Sequence, residues 1–152
     1  MITFLGASIC FIIPYFIVKL YEFAVSIPVS IYKQWEYPLN KNIKDPKEHE
    51  LKNPVVISFE FNKEIDSSDI THFRLKAPEE MEFGKLFYFF INDYNERHPE
   101  SQIMHLDKDN KPYGWVFYSK PNFMGNRKHF DFNKTVSSNK IKENDLIICQ
   151  RA

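Results

Sequence analysis

The sequence predicts an α+β fold: strands packed on one helix, preceded by an N-terminal transmembrane helix. Three observations carry this. Residues 79–99 place large apolar side chains at Phe83, Leu86, Phe87, Phe90, Ile91 and Tyr94, the spacing of one helix face. The stretches on either side alternate with period two, as half-buried strands do. Residues 2–18 carry no charge, and a run of about 17–25 apolar residues can cross a bilayer.

Taken in order, residues 1–25 read as the membrane helix. Pro14 would kink it, which membrane helices tolerate. Lys19 and Lys33 follow the apolar run and no basic residue precedes it. The positive-inside rule therefore puts the C-terminal part in the cytoplasm. Residues 26–53 form a juxtamembrane segment and linker, with Tyr32, Trp35 and Tyr37 among its residues. Two readings of these rings stand side by side: they sit at the lipid headgroups, or Trp35 and Tyr37 pack on the domain that follows.

Residues 54–152 form that domain. Val55, Ile57, Phe59 and Phe61 alternate with polar or smaller residues, and Phe73, Leu75 and Ala77 do the same after a polar turn. This is a hairpin. The helix comes next, with Glu79, Glu80 and Glu82 at its start and Arg97 and His98 at its end, as the helix dipole favours. Pro99 stops it. Residues 103–106 and 113–118 read as strands, and residues 121–131 as a basic, aromatic loop. Residues 135–144 hold a short helical turn, and 146–150 read as a last, continuously apolar strand. The order ββαβββ is that of a ubiquitin-like β-grasp domain, with sheet order 2-1-5-3-4. It would set the last strand parallel to the first, where burial on both faces suits an apolar run. A small α+β sandwich of other topology is the alternative.

The chemistry of common sites is missing from this sequence. The net charge over 152 residues is zero, so no global field draws in nucleic acid. The two cysteines, Cys10 and Cys149, lack metal or redox spacing. Asp107-Lys108-Asp109-Asn110 opens like a calcium loop, but Pro112 stands where that loop needs Gly and Tyr118 where it needs Glu. It reads as a turn. The five His residues show no ligand spacing, and no P-loop, dinucleotide fingerprint or nucleophile elbow occurs. The expectation is a non-enzyme without cofactor or metal. What remains is an interface. Phe123, Met124 and Phe130 share a loop with Arg127, Lys128 and His129, and aromatics with Arg are typical interface anchors. The alternative is that Phe123 and Phe130 fold back over the sheet. Arg74 and Lys76, on the exposed face of the second strand, are the next candidates.

Several segments resemble one family. They are Ile27-Pro28 with residues 32–38, Met81-Glu82-Phe83-Gly84-Lys85-Leu86-Phe87 with residues 90–101, Pro112-Tyr113-Gly114-Trp115, and Ile141-Lys142-Glu143-Asn144 with Ile147-Ile148-Cys149. Together they are similar to TssN, a membrane component of the subtype iii type VI secretion system. The resemblance implies a structural subunit of the trans-envelope complex at the bacterial inner membrane, with its C-terminal domain cytoplasmic. It also implies contacts with other membrane-complex and baseplate subunits and with membrane lipid, an oligomeric assembly, and no catalytic residues. The family has several membrane helices where this sequence has room for one, as in an N-terminally truncated copy or one with a misplaced start. The competing expectation is a membrane-tethered ubiquitin-like adaptor unrelated to secretion. The chain ends Gln150-Arg151-Ala152, without the Gly-Gly of a conjugated modifier.

Overall fold

The computed structural model describes residues 2–26, 32–40, 43–65 and 67–152, with the side chains of the first helix from Ile12 onward. They fall into two compact units, Met1–Ile31 and Tyr32–Ala152. The described part of the first is one helix, α1 (Ile2–Ser26), with Pro14 inside it. Among the described residues no helix is long and apolar enough to cross a membrane. This corrects the expectation of a transmembrane helix over residues 1–25. A bilayer core needs about 20 apolar residues in a row. In the described side chains of α1 the uncharged run ends at Lys19, which pairs with Glu22 at 2.7 Å. The orientation argument from Lys19 and Lys33 falls with the span.

The second unit contains β1 (Trp35–Glu36), β2 (Pro54–Asn62), β3 (Ile70–Pro78), α2 (Phe83–Arg97), β4 (Gly114–Ser119), β5 (His129–Phe130) and β6 (Leu146–Arg151). One curled sheet runs in the order β1-β4-β6-β2-β3, and β5 also pairs with β4. The β2–β3 hairpin is antiparallel in continuous register from Pro54↔Pro78 to Asn62↔Ile70. Strands β2 and β6 run parallel, with Phe59 opposite Ile147. The overall expectation of a five-stranded β-grasp behind a membrane helix does not hold; the described residues form a mixed α/β structure with two helices and a six-stranded sheet.

Two elements account for the changed sheet. Residues 103–106 form no strand; only Leu106 bridges to Pro112. The Asn95 side chain accepts the Ile103 N–H at 2.7 Å and donates to the Ile103 carbonyl at 3.1 Å. One amide thus satisfies the groups a neighbouring strand would have taken, and Ile103 is buried beneath it. Conversely Trp35 and Glu36 pair with Trp115 and Gly114. Trp35 is only 6% exposed and meets Phe87 edge-on at 5.1 Å, while Tyr37 meets Trp35 and Tyr88. Of the two readings of these rings, packing on the domain is the one observed.

Helix α2 covers the inner face of the sheet. Phe83, Leu86, Phe87 and Ile91 are buried, whereas Phe90 and Tyr94 are half-buried against Phe73 at the β3 edge. Phe87 lies edge-on to Phe59, Trp115 and Phe117 at 5.0–5.4 Å, a favoured geometry for ring pairs. The acids Glu79, Glu80 and Glu82 precede the helix rather than filling its first turn. Its free N–H groups find carbonyls instead: Phe83 donates to Lys134 and Gly84 to Phe132, both at 2.9 Å. A Cβ on Gly84 would stand 2.8 Å from Trp35 Nε1 and 3.1 Å from the Phe132 carbonyl. Glycine lets the helix start approach both.

Because Phe87 is enclosed and Phe90 is not, Phe87→Ala should cost about 3–5 kcal/mol and Phe90→Ala clearly less. Urea denaturation of the chain checks this; equal losses would show that the helix margin is as tightly packed as its centre. By the same geometry a fragment from Tyr32 should melt well above one from Pro54, which lacks Trp35.

Candidate functional site

Between β4 and β5 the chain makes an exposed loop, and it is here that most of the expected interface residues fall. They separate into two groups. Phe130 is 2% exposed and sits in the core beside Phe117 and Phe83. Lys128 is tied down: its ammonium donates to the Asn139 carbonyl and lies 5.1 Å from the Phe130 ring centroid. Phe123, Met124 and Arg127 stand out in solvent, Phe123 at 103% and Met124 at 75% exposure. Folding back over the sheet thus holds for Phe130 and not for Phe123.

The loop tip is braced by one side chain. The Asn122 carbonyl oxygen accepts the Met124 N–H at 3.0 Å and the Asn126 N–H at 2.9 Å. The backbone closes the same turn through Asn122 N–H to Asn126 and Gly125 N–H to Asn122. Gly125 takes φ 77° with open space around it, a conformation that costs glycine little. At the loop base Ser119 and Lys128 exchange bonds, Ser119 N–H to the Lys128 carbonyl and Lys128 N–H to Ser119 Oγ. An exposed Phe and Met are therefore held on a defined turn.

Two supports were missed in the sequence. Asn139, buried and polar, accepts the Asp131 N–H and donates to the carbonyls of Asp131, Lys134 and Thr135. It shapes the segment whose carbonyls receive the start of α2. An Asn within Thr135-Val136-Ser137-Ser138-Asn139 reads as ordinary turn chemistry, so its burial had no sequence signal. His129 stacks on Tyr32 with centroids 4.0 Å apart and rings 11° from parallel. Burial lowers its pKa below the usual 6.5, against the opposing pull of Asp131.

The other candidates, Arg74 and Lys76, are exposed on β3, at the opposite end of the sheet order from the β4–β5 loop. Asp107 uses its carboxylate on its own turn, accepting the Asp109 and Lys111 N–H groups at 2.8 Å each. Among the described residues no group of His, Cys, Asp and Glu is arranged to hold a metal ion. Cys149 is fully buried, and burial first, then Glu60, raises its thiol pKa well above the ordinary value.

The family model described as "Type VI secretion system, TssN" matches residues 1–152, the whole chain. The chain belongs to the TssN family. It is accordingly a component of the type VI secretion system, which sets aside an adaptor unrelated to secretion. No curated protein and no solved structure matches it.

Two outcomes test this geometry. Asn122→Ala should leave the fold intact while the Met124 and Asn126 amides exchange hydrogen faster; unchanged exchange would mean the backbone alone holds the turn. The folded pKa of His129 lies below its unfolded value, so its contribution is present above the unfolded pKa and is lost as pH falls through the folded one. Melting from neutral into acid should therefore fall more steeply for the native chain than for His129→Gln.

Proposed function

We propose that this TssN-family chain is a non-catalytic structural subunit that joins other parts of the secretion trans-envelope complex through the loop tip between β4 and β5. The observation that carries this reading is the complete exposure of Phe123 on a turn braced by Asn122. A loop that needed only solubility has no use for a Phe and a Met at its tip. Large apolar side chains flanked by a cation are the usual anchors of protein interfaces. Arg127 beside them would steer an acidic partner surface and act mainly on the rate of encounter. The partners are other membrane-complex and baseplate subunits, and the chain works within an oligomeric assembly.

The double substitution Phe123→Ser with Arg127→Glu tests the reading. Neither side chain packs in the fold, so stability should change by no more than about 0.5 kcal/mol. Co-purification of secretion subunits with the variant should be lost. Normal assembly and secretion by a stable variant would move the docking surface elsewhere.

A further inference from the structure

We infer that the open edge of β3 takes up an extended segment of a partner subunit, one that alternates acidic with apolar residues and joins the sheet as an additional strand. The inference deepens the docking role proposed above by giving a second contact and its chemistry. Strand β3 is last in the sheet order. On β2, Val56 and Ser58 donate their N–H groups away from β3, to the Glu143 carboxylate and the Asp145 carbonyl. Backbone direction alternates along a strand. The β2 groups bonded to β3 are therefore those of Val55, Ile57, Phe59 and Phe61, whose register partners are Ala77, Leu75, Phe73 and Thr71. The backbone groups of His72, Arg74 and Lys76 are left pointing at the open edge. Among the described residues none of them has a partner, and the register is continuous with no bulge to blunt the edge.

Side chains on the two faces of this edge select what can pair there. On the outer face His72, Arg74 and Lys76 are exposed. His72 has Glu60 across from it at 3.5 Å. Arg74 and Lys76 face Ser58 and Val56 on β2, so no carboxylate answers them there. Among the described residues Arg74 reaches only the Asn144 side chain, at 3.1 Å. An added strand would set its own outer residues directly opposite these three, where opposite charges attract and like charges repel. On the inner face a groove runs between β3 and α2, lined by Leu51, Leu75, Leu86, Phe89 and Phe90, with Asp93 and Glu96 of α2 also on its wall, so the side chains that enter it must be the apolar ones and the acids must stay on the outer face. The alternate side chains of an added strand would enter it, the usual division of strand addition into backbone affinity and side-chain specificity. A second copy of this chain fits poorly. Antiparallel β3–β3 pairing about Arg74 sets Arg74 against Arg74 and Lys76 against His72. The charges that keep copies apart are the ones that choose an acidic strand.

The test uses the full chain and synthetic peptides that alternate Val with Glu or Val with Lys. The Val/Glu peptide should bind and slow hydrogen exchange at the His72, Arg74 and Lys76 amides, while the Val/Lys peptide binds on the order of ten-fold more weakly or not at all. The Arg74→Glu, Lys76→Glu double variant should reverse that preference. The Phe123→Ser, Arg127→Glu variant should bind the Val/Glu peptide as the native chain does, so failure of the loop reading and failure of this one are separately visible. No binding of the Val/Glu peptide, binding without protection of those amides, or equal binding of both peptides would overturn the inference. So would a dimer whose formation protects the same amides, which would identify a second copy as the occupant.

Discussion

The ring of Phe87 has Phe59 and Phe61 of β2, Trp115 and Phe117 of β4, Trp35 of β1 and Phe90 of its own helix around it. Most of these contacts are edge-to-face, so each ring fixes the tilt of the next. The sheet cannot slide under α2 without breaking several pairs at once. The start of α2 is then placed by that seating, and with it the segment from Asp131 to Asn139 whose carbonyls cap the helix. The loop between β4 and β5 inherits its position from both ends, since β5 lies against β4 and Phe130 is itself part of the packed layer.

The parts read correctly from the sequence are those where one period governs many residues. The nine-residue strands of the hairpin repeat every second residue, and α2 repeats its apolar face for four turns. The remaining parts depended on single contacts. A two-residue strand such as Trp35–Glu36 has no period, so nothing marked it beyond a Trp near Tyr and Pro. The stretch around Ile103 has a strand-like composition, yet Asn95, eight positions earlier, supplies its hydrogen bonds. An uncharged run at the start suggested a span that the helix does not provide. Phe123 and Phe130 occur in one short loop of uniform composition. Only the pairing of Phe130 with Phe117 separates an anchor to the core from an anchor offered outward.

Arg151 closes the inner layer at its far end. Its guanidinium donates to the carbonyls of Asn62, Lys63 and Met104 and lies 4.5 Å from the Trp115 ring centroid. It ties the end of β6 to the end of β2, beyond the residues these strands pair, and to the irregular segment after α2, so that segment moves with the sheet although it forms no strand in it. Burial lowers its pKa, partly opposed by Tyr113, but an Arg remains charged at physiological pH. With this end clamped and the helix start capped, the two surfaces proposed for docking lie at opposite edges of the sheet. One is apolar at its tip and the other basic, an arrangement suited to holding two unlike neighbours at once.

The chain has two tryptophans, and both, Trp35 and Trp115, are buried on the same side of the sheet within reach of Phe87. Neither lies in the exposed loop or on the open edge. Intrinsic emission from this protein therefore reports whether the aromatic layer is assembled and is nearly blind to what touches the periphery. A partner can dock or leave without shifting the spectrum, so a steady signal during titration carries no information about occupancy. A red shift marks loss of the fold itself. Fluorescence thus serves as the control for integrity in binding experiments, and a probe placed outside the aromatic layer is needed to see the binding.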